Sequence, residues 1–371
     1  MRIGFDQIAE ISQGGNGRYS QNLFSALQSF DSGHEFVPFG YFHDWVRGEL
    51  VKPAFLTSFG LSISPSLLQC IQDRLFRLST KRSKIDIFHF TNPMNFIASS
   101  IPYVVTIHDL APLRNTSWVK PRTVDFFKEN IEKIICGAAS VIAVSEFTKK
   151  DILDRYSISP DKVQVIGEAA SPVFFRDEDR EYLKNKFQLD QFLLYAGQLQ
   201  ERKNIRGLLN AYSGLGVELQ SVYPLVVVGR ASSDAIANDF LDLADRLCIK
   251  PYVHWLGRVE DNVLRKLYSC ARLFVYPSFF EGFGLPPLEA MACGTPVIAS
   301  KDTAVEEVVG HAGLLCDPND PESIADMMEV LVTQEDVYRQ LQTATLVQAK
   351  KFTWSDAAKK TVSVYVKKYD K

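Results

Sequence analysis

The chain has 371 residues, more than the roughly 250 to 300 at which one hydrophobic core stops growing, so two domains are expected. Its 46% hydrophobic and 23% charged residues are ordinary for a globular protein, and a net charge of −3 gives no basis for nucleic-acid binding. The six cysteines (70, 136, 248, 270, 293 and 316) stand singly without CxxC spacing, which favours reduced thiols over a disulfide framework or a zinc site.

No apolar run approaches the roughly 18 residues of a membrane span. Met1 to Phe5 open directly as a strand, where a signal peptide would carry a longer apolar region, so a cytoplasmic protein is expected.

Residues 2–6 (RIGFD) read as the first strand. Gly14, Gly15, Asn16 and Gly17 then lead into a helical pattern with Tyr19, Leu23, Phe24 and Leu27 on one side. Such a glycine-rich strand-to-helix loop either lets the helix pack closely or admits a substrate to the backbone. Residues 35–39 are a second strand. Residues 42–68, with Phe42, Trp45, Phe55 and Phe59, show no clean period, and a helical pattern over 67–78 follows. Arg74, Arg77, Lys81, Arg82 and Lys84 make that stretch basic. It reads either as a solvated helix face or as a contact with an acceptor or an anionic membrane surface.

Residues 86–90 and 103–107 are further strands, the second ending in His108, Asp109 and Leu110. A histidine just past the carboxyl end of a parallel strand points into the crevice where α/β proteins bind ligands. His108 therefore ranks first among the histidines, and His89, also near a strand end, ranks second. A helix over 121–139, a strand over 141–144 and a helix N-capped by Ser145 (SEFTKKDI) complete this half.

The character changes at Gly167 to Pro172 (GEAASP), and the charged, strand-poor piece 176–186 marks a domain boundary. A new strand over 192–196 ends at Gly197. Glu201, Arg202, Lys203 and Asn204 then open a helix with Ile205, Leu208, Leu209 and Tyr212 on its buried side. Two cations at a helix start oppose its dipole, a local rule-breaking expected at functional sites, and Arg202 and Lys203 suit a diphosphate clamp. Strands over 224–229, 252–256 and 314–316, with helices near 233–248 and 260–270, continue a second doubly wound sheet. Gly257, Arg258 and Val259 follow a strand end. The last helix, 354–369, carries Ala357, Ala358, Val362, Tyr365 and Val366 on one stripe.

The densest pattern lies between Arg272 and Ser300. A strand over 272–277 gives way at Ser278, Phe279 and Phe280 to Glu281, Gly282, Phe283 and Gly284. Pro286 and Pro287 suit a first helical turn, Gly294 stops the helix, and Thr295 to Ala299 form another strand. Free N–H groups and the positive dipole end attract an anion at such a helix start. Glu281 and Glu289 would repel phosphate and so suit hydroxyl groups. Phosphate together with hydroxyls suggests a sugar nucleotide.

Glu281 to Glu289 (EGFGLPPLE), followed by Ala290 to Pro296 (AMACGTP), resembles the glutamate, seven residues, glutamate signature of retaining glycosyltransferases with the GT-B fold, family GT4. The HDL triplet and SEFTKKDI resemble blocks of the same family, and the likeness covers nearly the whole chain. It implies an α/β fold of two facing Rossmann-like domains with parallel sheets and the active site in their cleft. Residues 1–170 would form the acceptor-side domain, 171–351 the nucleotide-sugar-binding domain, and 352–371 a helix crossing back to the first.

The implied reaction moves a sugar, with retention, from a nucleoside diphosphate sugar to a hydroxyl of a saccharide or lipid-linked saccharide. The combined motifs resemble bacterial mannosyltransferases of polysaccharide assembly, which favours GDP-mannose as donor over UDP- or dTDP-sugars. By the same resemblance Lys203, accompanied by Arg202, neutralises the departing phosphate. The backbone of Gly282, Phe283, Gly284 and Leu285 cradles the phosphates, and the loop with Gly15 and Gly17 faces donor phosphates and acceptor. His108 contacts the donor sugar, Glu281 positions its hydroxyls, Glu289 holds the ribose, and Val259 lies in the loop contacting the base. One position departs from the pattern. Many members carry an arginine after the strand-ending glycine, where this chain has Gln198.

No metal cluster is apparent in the sequence and no metal or other cofactor is expected, which fits the resembled family's use of lysine and helix dipole in place of magnesium, and no side chain is assigned as catalytic base. Nucleic acid is not an expected partner; peripheral contact with the inner membrane surface is, if the basic stretch faces lipid. Two alternatives keep the fold: an epimerase cleaving a sugar nucleotide without transfer, and a non-catalytic sugar-nucleotide-binding subunit. A dinucleotide-dependent oxidoreductase would need GxGxxG after the first strand, which Gly14 to Gly17 do not match.

Overall fold

The computed structural model describes residues 1–7, 15–39, 74, 76–98, 100–231 and 233–369. Gly14, the segment 42–68 and Cys70, all singled out in the sequence, lie outside them. In the basic stretch residues 76–82 are helical, with Phe76 and Thr80 buried and Arg74, Arg77, Lys81, Arg82 and Lys84 exposed.

The chain divides into two compact units. The first comprises Met1–Leu113, Pro121–Glu168 and Trp354–Lys371; the second comprises Arg114–Lys120 and Ala169–Thr353. Membership of Arg114–Lys120 in the second unit is not legible in the sequence. It follows from Trp118, whose ring stacks on Phe280 with centroids 6.0 Å apart, and from the Arg114 guanidinium, 5.2 Å from the centre of the same ring.

The first unit holds a parallel sheet of β1 (Arg2–Asp6), β2 (Glu35–Phe39), β3 (Ile87–Phe90), β4 (Tyr103–Ile107), β5 (Ser140–Ala143) and β6 (Val163–Val165), in the order β2-β1-β3-β4-β5-β6. The strand β6, three residues long, is too short to show a period. Strands β3, β4 and β5 are buried along their whole length, as expected for a parallel sheet covered on both faces. Phe88, Phe90, Val105, Ile107, Ile131, Ile134 and Ile135 form the centre of the core. The strand order reverses between β1 and β3, so the carboxyl ends of these strands mark the switch point at which such sheets bind ligands.

The returning helix Trp354–Tyr369 belongs to this first unit, where a buried polar chain holds it. The Tyr365 hydroxyl lies 2.6 Å from His89 Nδ1, His89 Nε2 lies 2.8 Å from Thr106 Oγ1, and Tyr19 OH lies 3.0 Å from the same Thr106 oxygen. His89 is thus fully occupied inside the core. Burial, with the nearby His108, pushes its imidazole down to about 3, so the ring is neutral and structural.

The second unit repeats the architecture with β7 (Leu193–Ala196), β8 (Leu225–Val228), β9 (Val253–Gly257), β10 (Leu273–Tyr276), β11 (Val297–Ser300) and β12 (Leu314–Cys316). All pair parallel, in the order β12-β11-β10-β7-β8-β9. Helices Ala304–Val309, Pro321–Thr333 and Glu335–Ala349 add to those expected from sequence. Here the switch point falls between β7 and β10. At its edge Gly229 (φ 147°) approaches Gly197 so closely that a Cβ at Gly229 would lie 1.8 Å from the Gly197 carbonyl oxygen. Only glycine fits that crossing.

Candidate functional site

In the second unit the switch point gathers three charged side chains from two loops. After β7 the chain makes a 3-10 turn over Glu201–Lys203, and Asn204 adopts the left-handed conformation (φ 56°) before the helix Ile205–Ser213. Asn204 caps that helix through its side-chain oxygen, 3.0 Å from Gly207 N, and its amide donates to the Pro318 carbonyl at 2.7 Å. The turn directs Lys203 inward, leaving it 8% exposed. Its ammonium donates to the Tyr276 hydroxyl at 2.7 Å and to Glu281 Oε1.

Arg202 reaches the same carboxylate, with its guanidinium 3.4 Å from Glu281 Oε2 and 2.8 Å from the Phe280 carbonyl oxygen. The Phe279 amide donates to the Arg202 carbonyl at 2.9 Å, so backbone and side chains lock the two loops together. Burial alone would raise the Glu281 carboxyl. The Lys203 and Arg202 charges, with the Ser278 hydroxyl, hold it below its ordinary value instead. Glu281 is therefore an anion between two cations, and the cluster keeps one net positive charge. Tyr276, at the end of β10, stays a neutral phenol: burial and the Glu281 carboxylate push it well above the ordinary value. Tyr195 stacks on it, with centroids 5.8 Å apart.

Glu281 leads into Gly282, Phe283 and Gly284, all buried, and Gly284 (φ 116°) precedes the helix Leu285–Ala292. A Cβ at Gly284 would lie 3.0 Å from a Val305 methyl, so both conformation and space select glycine there. Leu285 and Pro286 are half-buried at the helix start. Glu289, on the second turn, is buried, and the Tyr268 hydroxyl donates to its Oε2 at 3.3 Å. Val259 is half-buried just past β9, and Gln198 is exposed past β7. Among the described residues no group of three or more His, Cys, Asp or Glu is arranged to hold a metal ion.

In the first unit His108 follows β4 and is half-buried. The Thr148 hydroxyl, on the helix Glu146–Arg155 capped by Ser145, donates to the His108 carbonyl oxygen at 3.3 Å, and the Asp109 carboxylate accepts from the Ala111 amide at 2.9 Å. Beside it, at the switch point, Asp6 accepts from the Thr91 hydroxyl at 3.2 Å and from the Asn95 amide at 3.0 Å. Gly15 opens the helix Gly15–Ser29 and is exposed, Gly17 is buried, and Tyr19 meets the His108 ring edge-on at 4.8 Å.

The structure thus brings Lys203, Arg202 and Glu281 into one cluster, with Glu289 on the helix that follows. Sequence reasoning missed Tyr276 and Tyr268, which look like core aromatics, and Glu168, which looks like part of a boundary segment. Glu168 lies just beyond the carboxyl end of β6, the same positional signal that selected His108.

Two family models match the chain: glycosyltransferase family 4 over residues 13–169 and glycosyl transferases group 1 over residues 177–346. The O-antigen chain mannosyltransferase B of Escherichia coli is 37% identical over 269 residues, covering 71% of this chain and 69% of that one. The serotype-specific mannosyltransferase WbdA of Escherichia coli is 33% identical over 70% of this chain, which spans only 33% of WbdA. Among solved structures, Anabaena HepE in complex with UDP and glucose superposes with a TM-score of 0.74 at 17% identity, covering 98% of this chain and 99% of that one.

Proposed function

The chain belongs to the group 1 glycosyl transferases of family 4, and from that membership we propose that it moves mannose from GDP-mannose to a hydroxyl of a saccharide or lipid-linked saccharide, with retention, during assembly of a surface polysaccharide. The observation that carries the reading is the cluster of Lys203, Arg202 and Glu281 at the switch point of the second sheet. Its net positive charge suits a diphosphate, and its carboxylate suits sugar hydroxyls. The mannosyl preference rests on the names of the Escherichia coli relatives.

The chemistry required is rupture of the bond between the anomeric carbon and the phosphate oxygen, with a new bond to the acceptor oxygen on the same face. Lys203 and Arg202 stabilise the diphosphate as it departs, and hydrogen bonds to the Tyr276 hydroxyl and the Phe280 carbonyl oxygen hold both cations at the site beforehand. The acceptor proton passes to the departing phosphate oxygen, so no side chain serves as base. Glu281 orients sugar hydroxyls and favours the cation-like sugar of the transition state. Gly282 to Leu285 present backbone N–H groups to the phosphates, Gly15 and Gly17 face donor and acceptor, His108 meets the sugar, Glu289 holds the ribose, and Val259 lies by the base.

The test is a donor panel of GDP-mannose, UDP-sugars and dTDP-sugars with a mannose-terminated acceptor, the anomeric configuration of the product being read by NMR. An α-mannoside formed from GDP-mannose is expected. Product from another donor alone would replace the donor assignment, and nucleotide release without acceptor would favour the epimerase chemistry.

A further inference from the structure

Both ring nitrogens of His108 face oxygen atoms inside the first unit. Nδ1 lies 2.9 Å from Glu168 Oε1, and Nε2 lies 2.9 Å from the Thr91 carbonyl oxygen. A backbone carbonyl has no proton to give, and a carboxylate has none unless it is protonated. A neutral imidazole carries one N–H and one lone pair, so it would turn that lone pair on one of these oxygens. A single arrangement satisfies both contacts without a proton on the carboxyl, namely an imidazolium donating twice. The proton belongs on the ring, since a carboxylic acid is ordinarily the stronger acid of the two.

We propose that Glu168 is a positioning residue for sugar transfer, holding His108 as a doubly protonated imidazolium fixed in one orientation at the end of β4. The pair is built into the fold: the His108 side chain is 15% exposed and that of Glu168 5%. Burial opposes the charge on the ring, but the hydrogen bond and charge of Glu168, the Thr91 carbonyl and Asp109 outweigh it and raise the imidazole above its ordinary value. Among the described residues, the neutral neighbours of the pair are these. Tyr19, from the helix Gly15–Ser29, is a phenol that burial keeps neutral. His89, on β3, is neutral as described above. Thr148, from the helix Glu146–Arg155, donates its hydroxyl to the His108 backbone carbonyl and adds no charge.

The arrangement decides how a ligand engages the histidine. A sugar hydroxyl reaching Nε2 replaces the neutral Thr91 carbonyl, because the charge-assisted bond to Glu168 is the stronger of the two. Glu168 then keeps the ring aimed and charged throughout. This consequence for turnover rests on the proposed donor-binding role of His108; the ionisation of the pair does not.

The experiment has two arms. Ring-15N-histidine protein, with His108 assigned by loss of its signal in His108→Gln, is titrated by NMR in the wild type, Glu168→Gln and Glu168→Asp. The kcat and KM for the sugar nucleotide are measured over the same pH range. Wild-type His108 is expected to show two protonated nitrogens at neutral pH and to titrate above 6.5, with Glu168→Gln bringing the midpoint down and Glu168→Asp restoring part of it.

A midpoint lowered by one unit leaves about tenfold less imidazolium on the alkaline side, so kcat of Glu168→Gln should fall about tenfold at alkaline pH and recover to within about threefold at pH 6, with KM changed less. A neutral ring in wild-type protein at neutral pH overturns the proposal without recourse to any variant. So does a midpoint that Glu168→Gln leaves in place. Should the midpoint move while the kcat profile does not, the positioning role falls. Absence of transfer from every donor by the wild type would instead tell against the proposed function, with the NMR arm still deciding the ionisation.

Discussion

Lys203 and Glu281, 78 positions apart in the chain, form a buried ion pair at the carboxyl ends of β7 and β10. The cation proposed for the diphosphate and the anion proposed for the sugar thus neutralise part of each other. Under those proposed roles a bound donor would divide the pair between its two chemical halves. Arg202, on the far oxygen of the carboxylate, would then keep Glu281 charged while Lys203 engaged phosphate.

Lys203→Ala should depress turnover on the order of 10² to 10³-fold, the loss typical of one contact that stabilises charge in the transition state. Tyr276→Phe removes the hydroxyl that accepts from Lys203 and should cost roughly 1.5 to 3 kcal/mol in kcat/KM, the range for a hydrogen bond to a charged group. Steady-state kinetics on both variants, with circular dichroism as a control for folding, checks this. Turnover of Lys203→Ala within about threefold of wild type would move the diphosphate site elsewhere.

The two glutamates should separate in calorimetry. Glu281→Gln removes the anion opposing two cations, so GDP affinity should hold or rise while kcat falls, because free GDP lacks the transferred sugar that Glu281 is proposed to orient. Glu289→Ala should weaken free GDP by roughly 1.5 to 3 kcal/mol through loss of the proposed ribose contact. Equal losses of nucleotide affinity in both variants would sink the division of labour.

A chelator should leave activity nearly unchanged if Lys203 and Arg202 take the diphosphate role proposed for them. Activity assays after treatment with EDTA, with and without added magnesium, test it; a complete loss restored by magnesium would refute the metal-free scheme.

Acid should destabilise the fold through two groups. His89 is held down to about 3 against an ordinary 6.5, so below pH 6.5 the unfolded chain takes up a proton that the folded ring refuses, and stability falls as pH drops through that window. Glu281, depressed below 4.5, adds stability that is present above 4.5 and lost as pH falls further, through its folded value. The temperature of thermal unfolding should therefore decline from pH 6.5 to 4, less steeply in His89→Asn. Identical slopes in the two proteins would rule out His89 as the source.

The exposed cations Arg74, Arg77, Lys81, Arg82 and Lys84, with Leu78 57% exposed among them, should give salt-sensitive association with vesicles of anionic phospholipid. Co-sedimentation of the variant with all five replaced by glutamine provides the comparison. Equal partitioning of the two proteins would leave the stretch a solvated face.

Much of this was legible in the sequence, for physical reasons. Buried parallel strands are continuous apolar runs, and Gly284, Pro286 and Pro287 punctuate the loop and helix around Glu281 with residues few other conformations accept. Arg202 and Lys203 stood out because they violate the helix dipole. The remainder depends on distance in space. Nothing local distinguishes Tyr276 from Phe274, the other aromatic residue of β10, yet its hydroxyl orients Lys203. His89, inside β3 near its end, and His108, one residue past β4, look alike in sequence, and their partners separate them: two hydroxyls for one, a carboxylate and a carbonyl for the other. The grouping of Arg114–Lys120 with the second unit hangs on Trp118 and Phe280, 162 positions apart in sequence.

The helix Trp354–Tyr369 carries a temporal consequence. Because it completes the first unit, the main segment of the second, Ala169–Thr353, is made before the first unit's last segment. A ribosome makes Tyr19, His89 and Thr106 early and Tyr365 only near the end, so the early segment waits, its polar chain unfinished, while some 185 residues emerge and can collapse on their own. The unit begun first is finished last. A nascent chain stalled before residue 354 should therefore present a protease-resistant second unit beside a first unit that chaperones still recognise.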